Sequence, residues 1–233
     1  MGQLRIEPLN SGHRKFFKDF RNQEPSLVEY ILRYALRHMK KDYLSWTYLA
    51  IDSSHGKLAG YFTLSVLSVE RKSLDPIEGL SSLPRFPIPG VLLARLAVDE
   101  RVQGQGLGRY LFEQALGLAL DNSLRGPLRG RLFVTDAINQ SAEEFYSHFG
   151  MQSVTEGHPK RMILDLKNLL ATAENRVPGQ DKHLIRTASE LDASVGGDSD
   201  GLEGSTIGRI RKSRNGNKLK GKSIRSLIEK GRK

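Results

Sequence analysis

An apolar run, Val91 to Val98, leads through Asp99-Glu100-Arg101-Val102 into Gln103-Gly104-Gln105-Gly106-Leu107-Gly108-Arg109, and an amphipathic stretch follows to about Asn122. That order predicts a strand, a glycine turn and a long helix, which few folds other than a layered α/β one accommodate. Glycines at alternate positions remove side chains where the backbone must turn. Several N–H groups can then converge on one anion at the positive end of the helix. The segment is not a dinucleotide fingerprint, because Arg109 stands where G-x-G-x-x-G needs its last glycine, and no Gly-Lys-Ser/Thr follows as in a P-loop. A phosphate cradle of another kind is expected, with a strand-to-helix turn that binds nothing as the bland alternative.

Composition narrows the chemistry. The 233-residue chain has no cysteine, which excludes disulfides, thiolate metal sites and a cysteine nucleophile, and its six histidines show no metal-ligand spacing. The N-terminus does not read as a secretory signal and no apolar run approaches about 18 residues, so a cytoplasmic protein is expected. The net charge of +10 is concentrated at one end: residues 205–233 hold 11 of the Lys and Arg and a single acid, Glu229, and the other 204 residues balance to zero. A near-neutral body with an anion-seeking appendage follows.

Periodicity predicts a short strand at Leu4-Arg5-Ile6 and a helix over Ser26 to Lys41. It predicts a hairpin of Trp46 to Asp52 with Lys57 to Val69, and a proline-rich loop over Leu74 to Pro89. After the glycine turn come a strand at Arg131 to Thr135, a helix from Ser141 to Phe149 ended by Gly150, and a closing pair, Gln152 to Glu156 with Arg161 to Leu166. The order gives an α/β fold, a mixed sheet with flanking helices, over residues 1–167. Residues 168–204 are too polar and glycine-rich to bury a core and read as a disordered linker. Residues 205–233 form a basic tail in which Ile224, Leu227 and Ile228 share one face of a short amphipathic helix.

Gln103 to Gly108, with its Q-x-x-G-x-G spacing behind an apolar strand, resembles the acetyl-CoA pyrophosphate loop of the GCN5-related N-acetyltransferases (GNAT). The resemblance implies a mostly antiparallel mixed sheet, acetyl-CoA as cosubstrate, and coenzyme contacts from Leu96, Ala97, Val98, Gln103, Gly104, Gln105, Gly106, Leu107, Gly108 and Arg109. Ala142-Glu143-Glu144-Phe145-Tyr146-Ser147-His148-Phe149-Gly150-Met151 is similar to the family's A-x-x-F-Y-x-x-x-G-F pattern, Met151 replacing the last aromatic. By that likeness Tyr146 is the catalytic acid, since a phenol is protonated at neutral pH and can donate to a leaving thiolate. Its alternative role is apolar packing with Phe145 and Phe149. Asn139 resembles a coenzyme-contacting asparagine of the family, although asparagine also favours helix starts. No general base is evident.

Phe20 to Ala35, Leu58 to Ser65 (Leu-Ala-Gly-Tyr-Phe-Thr-Leu-Ser) and Phe86 to Val98 further resemble the acetyltransferase toxins of bacterial type II toxin-antitoxin modules. Arg21 and Asn22 stand where that group usually has Cys-Gly. The narrower resemblance implies acetylation of the amino acid on charged tRNA, arrest of translation and a partner antitoxin. A homodimer enters only by family analogy. Arg14, Lys15, Lys18, Arg71, Lys72, Arg85 and Arg95 are candidates for tRNA phosphates, and the basic tail for sequence-independent nucleic-acid binding, with antitoxin docking or a membrane-surface contact as its alternatives. Two other functions remain open: acetylation of a protein or small-molecule amine, and a non-catalytic, coenzyme-sensing regulator that binds nucleic acid.

Overall fold

The computed structural model describes residues 4–77, 79–125 and 129–169. The linker and tail expected beyond residue 167 lie, from residue 170 onward, outside the described residues. The described part is a seven-stranded sheet with helices on both faces. Its strands are β1 (Leu4–Pro8), β2 (Trp46–Asp52), β3 (Lys57–Val69), β4 (Ile88–Val98), β5 (Leu132–Ala137), β6 (Gln152–Ser153) and β7 (Lys160–Asp165), in the order β1-β2-β3-β4-β5-β7-β6. Only β4 and β5 pair in parallel. This is the mixed, mostly antiparallel sheet that the sequence predicts.

Alternation along the strands loads both faces. One face buries Phe62, Leu93 and Phe133 against α3 (Leu107–Leu120) and α4 (Gln140–His148), whose apolar sides contribute Leu111, Phe112, Ala115, Tyr146 and Phe149. Gly60 permits the close approach of α3, because a Cβ there would lie 2.8 Å from Leu111 Cδ1 and 2.7 Å from the Ala97 carbonyl oxygen. The other face carries two separate apolar clusters. Leu49, Ile51, Leu58, Tyr61 and Ala97 lie under α1 (Pro25–Glu29) and α2 (Ala35–Lys40). Leu132, Val134 and Ile163 lie under Leu74, Ile77 and Leu80.

The predicted helix over Ser26 to Lys41 is thus two α-helical pieces joined by a π-helical turn, Tyr30–Tyr34. Such turns recur at functional sites. The proline-rich stretch has a short 3-10 turn at Arg71–Leu74 and then no regular element until β4, yet it covers the sheet with three buried aliphatic side chains. Pro89 falls inside β4, one residue before pairing with β5 begins at Gly90. Among the described residues no helix is long and apolar enough to cross a membrane.

Candidate active site

The central feature is a fork in the sheet. β4 and β5 pair only at Gly90–Leu132, Val91–Phe133 and Leu92–Val134, after which both strands continue without pairing with each other. The separation coincides with a bulge in β4. Thr63 of β3 faces Arg95 while the next residue, Leu64, faces Leu93, so Ala94 is the extra residue. A bulge bends its strand and sharpens the local twist. At the apex a side chain replaces the missing rung: Thr135 Oγ1 donates to the Leu93 carbonyl at 3.0 Å.

Beyond the bulge, the Asp99 N–H donates to the Ala59 carbonyl of the β3 side at 2.8 Å. Since successive residues turn their backbone groups to opposite sides, Ala97 bonds toward β3, whereas Leu96 and Val98 face the fork. Of the three strand residues expected to meet the coenzyme arm, Leu96 and Val98 turn their backbone groups to the fork and Ala97 is committed to the sheet. The Val98 carbonyl accepts from Gln103 Nε2 at 3.1 Å and from Asn22 Nδ2 at 2.9 Å.

Asp99, almost wholly buried, organises the entry to the glycine loop. Its carboxylate accepts from the backbone N–H groups of Arg21 and Arg101, both at 3.0 Å, and from Nε and Nη2 of Arg101, both at 2.7 Å. Burial pushes this carboxyl group's pKa up, but the Arg101 side chain and the two amides together outweigh it and hold it below the usual value. Arg21 and Asn22, the departures from the toxin pattern, thus tie the segment before α1 to the end of β4.

Gly104 (φ +74°) and Gly106 (φ +83°) adopt the left-handed conformation, which costs other residues about 1–2 kcal/mol. Gly106 is the N-cap of α3, with no side-chain cap and no acid in the first turn. The N–H groups of Leu107, Gly108 and Arg109 consequently have no partner within the helix. The exposed Gln105 lies between the two left-handed glycines, Leu107 anchors the turn in the core, and Arg109 Nη2 lies 2.9 Å from His148 Nε2 with its guanidinium over the Phe149 ring.

Tyr146 joins the fork from α4. Phe112 packs among Phe145, Tyr146 and Phe149, its ring centroid 4.3 Å from that of Phe149, so the aromatic face is core, as the packing alternative foresaw. Yet the Tyr146 phenol also lies beside the Thr135 side chain, at the apex. Burial raises the phenol's pKa and the Thr135 contact only partly offsets it. At neutral pH the group is a proton donor. Asn139 serves the helix, its Oδ1 accepting from the Ala142 N–H at 2.9 Å. Glu143 is held by Lys160 at 2.7 Å and His158 at 3.3 Å. Sequence reasoning missed Thr135 and Asp99, because neither stands in a recognisable motif.

On the opposite sheet face, the Arg95 guanidinium lies 5.1 Å from the centre of the Tyr30 ring and donates to the Ala94 carbonyl. It makes no ion pair among the described residues. Arg71 instead holds the proline-rich segment, bonding the Leu83 carbonyl and Asp75. Arg14, Lys15, Lys18, Lys72 and Arg85 are exposed. Among the described residues no cluster could hold a metal ion.

Residues 10–151 match the acetyltransferase (GNAT) family. The chain belongs to that family. It is 30% identical over 152 residues to a tRNA-acetylating toxin of Mycobacterium tuberculosis, covering 65% of this chain and 87% of the relative. Two solved structures share the fold. AtaT complexed with acetyl-methionyl-tRNAfMet matches with a TM-score of 0.64 and 23% identity, over 73% of this chain and 99% of that one. A tyrosine-to-phenylalanine mutant of AtaT bound to the C-terminus of the antitoxin AtaR matches with a TM-score of 0.61 and 22% identity, over 72% and 97%. In this GNAT chain the stretch of β4 that does not pair with β5 leads directly into the uncapped start of α3.

Proposed function

We propose that this acetyltransferase moves the acetyl group of acetyl-CoA to the α-amino group of an aminoacyl-tRNA and acts as a translation-blocking toxin. One observation carries the reading: the Tyr146 phenol reaches the apex of the β4–β5 fork, in the same fork that Leu96 and Val98 line with backbone groups. The loop Gln103 to Arg109 binds the pyrophosphate. The amine nitrogen bonds to the acetyl carbon as the carbon–sulfur bond breaks, Tyr146 gives its proton to the leaving sulfur, and the nitrogen's surplus proton passes to water, from which Tyr146 is reprotonated. The 30% identity to a tRNA-acetylating toxin supports the acceptor class.

The electrostatics favour the same acceptor. Arg95, next to the bulge and without an acidic partner among the described residues, disfavours an incoming ammonium. A lysine side chain, with an ordinary pKa near 10.4, would have to lose its proton beside that cation, whereas a free α-amine titrates near 8 and its ester lower. An acceptor of this kind needs no strong base. Arg95 is also placed to attract the phosphates of the tRNA 3′ end.

An antitoxin partner, a cytoplasmic location and a homodimer belong to the same proposal. The basic tail of residues 205–233 adds a sequence-independent hold on tRNA phosphates. The test is transfer of labelled acetyl from acetyl-CoA into total charged tRNA. Label in intact aminoacyl-tRNA that disappears after deacylation or nuclease treatment supports the proposal, and label confined to protein or small amines refutes it.

A further inference from the structure

We propose that the exposed face of α2 is a landing surface for the unpaired 3′ end of the acceptor RNA, with the Tyr34 ring as a platform on which one base stacks and Arg37 and Lys41 beside it for the phosphates. This deepens the functional reading above and rests on the acceptor being a charged tRNA.

The helix divides its residues between two faces. Ala35, Leu36 and Met39 turn inward to the cluster of Leu49 and Tyr61. Tyr34 at the N-cap, Arg37, His38, and Lys41 at the C-cap fall at the i, i+3, i+4 and i+7 spacing of the other face. Tyr34 is 41% exposed, and its ring is braced from one side by His38, with centroids 5.9 Å apart and planes at 30°. His38 in turn meets Tyr30 edge-on at 5.7 Å, and the Arg95 guanidinium lies 5.1 Å from the centre of the Tyr30 ring. A row of ring contacts therefore leads from Arg95, next to the bulge at the fork, out to Tyr34. The π-helical turn keeps the row in line. Four residues overrun an α-helical turn by about 40°, and the wider turn at Tyr30–Tyr34 takes that drift back.

Charge decides the occupant. Residues 33–41 carry Arg33, Arg37, Lys40 and Lys41, all exposed, and no acid. Arg33 bonds Glu29 and Arg37 bonds Asp42, each at 3.1 Å, in exposed pairs that contribute little and exchange readily for a phosphate. Lys40 and Lys41 make no ion pair among the described residues. A second copy of the chain would bring the same positive charge to this face and be repelled. A single-stranded nucleic acid matches both halves of the surface, since cations follow its backbone and aromatic rings take its bases. The basic tail cannot supply the second half, because residues 205–233 contain no aromatic residue.

The probes are an acceptor-stem RNA minihelix with its unpaired 3′ end and copies that each lack one unpaired base, titrated into the full chain. For wild type, loss of one particular base should weaken binding about tenfold, within the range for a single stacked base. Tyr34→Ala should bind the intact RNA as weakly as wild type binds that copy and should not distinguish the two, whereas Tyr34→Phe, which keeps the ring, should distinguish them as wild type does. The tail, blind to bases, cancels in this comparison. Arg37→Ala combined with Lys41→Ala should weaken all the RNAs alike and lower the slope of log affinity against log salt by about 1–2. In acetyl transfer, Tyr34→Ala should raise KM for charged tRNA about tenfold, with kcat and acetyl-CoA affinity within about twofold of wild type. Equal binding of all the RNAs by wild type, or undiminished discrimination by Tyr34→Ala, overturns this inference while acetyl transfer to charged tRNA stands. Equal binding of the RNAs together with binding of polyglutamate that the double variant abolishes gives the face to an acidic protein and likewise overturns it. Absence of acetyl transfer to charged tRNA by wild type overturns the functional reading, and with it the acceptor named here.

Discussion

Substituting alanine for Gly106 and, separately, for Gly108 asks two different questions of the same loop. Gly106 has φ +83° and ψ −2°, and a Cβ built there meets nothing within 4 Å, so the penalty is purely conformational. It amounts to about 1–2 kcal/mol. If the loop keeps its shape, that sum is lost from the stability of the free protein. If the loop relaxes, it reappears on binding as a rise in the acetyl-CoA dissociation constant of roughly 5–30-fold. The coenzyme-bound protein is destabilised by the full amount either way. At Gly108, by contrast, an added Cβ would lie 3.8 Å from Phe145 and from Val98 Cγ2, an ordinary contact, and φ is not positive. Gly108→Ala should therefore leave the free protein as stable as wild type or up to about 1 kcal/mol more so. If the phosphates approach this backbone, the same methyl group weakens acetyl-CoA binding by about tenfold or more, that is by about 1.4 kcal/mol or more. Urea denaturation with and without coenzyme, together with calorimetric titration, separates the terms. Wild-type acetyl-CoA affinity in Gly108→Ala would refute the phosphate cradle, and wild-type stability and affinity in Gly106→Ala would refute the strain argument.

Asp99→Asn should destabilise the protein by about 2–3 kcal/mol, since one amide oxygen cannot accept all four bonds of a buried carboxylate. Because this carboxyl group's pKa is depressed in the folded protein, its contribution is complete above the ordinary carboxylate value near 4 and is lost as pH falls through the lower folded value. Acid denaturation of wild type and variant should accordingly converge, and parallel curves down to pH 2 would contradict the assignment. Arg95→Ala should raise KM for charged tRNA several-fold with acetyl-CoA affinity unchanged, and should admit a lysine peptide relatively better, as competition assays would show. Removing residues 205–233 should lower the slope of log affinity for tRNA against log salt, with acetyl-CoA binding unaffected. An unchanged slope would mean that the tail does not touch the RNA.

Much of the scaffold was legible because its signals are local. Trp46–Asp52 and Lys57–Val69 flank the short turn Ser53-Ser54-His55-Gly56, and both strands have the predicted bounds. The glycines that start α3 lie where the spacing places them. What the sequence hid depends on pairing between distant segments. The fork follows from a one-residue mismatch at Ala94 against β3, and nothing in Leu92-Leu93-Ala94-Arg95 marks that residue as extra. The π-helical turn at Tyr30–Tyr34 interrupts a helical pattern that reads as unbroken. Thr135 looks like any strand threonine until Leu93 and Tyr146 are brought to it. The proline-rich stretch reads as a simple loop because its prolines rule out a long regular element, yet Leu74, Ile77 and Leu80 pack against one face of the sheet. Asn139 shows the converse, a residue whose local preference for starting a helix is what the fold uses.

The most direct test of the account is acetyl transfer to charged tRNA by Tyr146→Phe, with acetyl-CoA affinity measured on the same preparation. Loss of about 100-fold or more in kcat with unchanged coenzyme affinity is the predicted result. Transfer at the wild-type rate would contradict the placement of the acid at the apex of the fork.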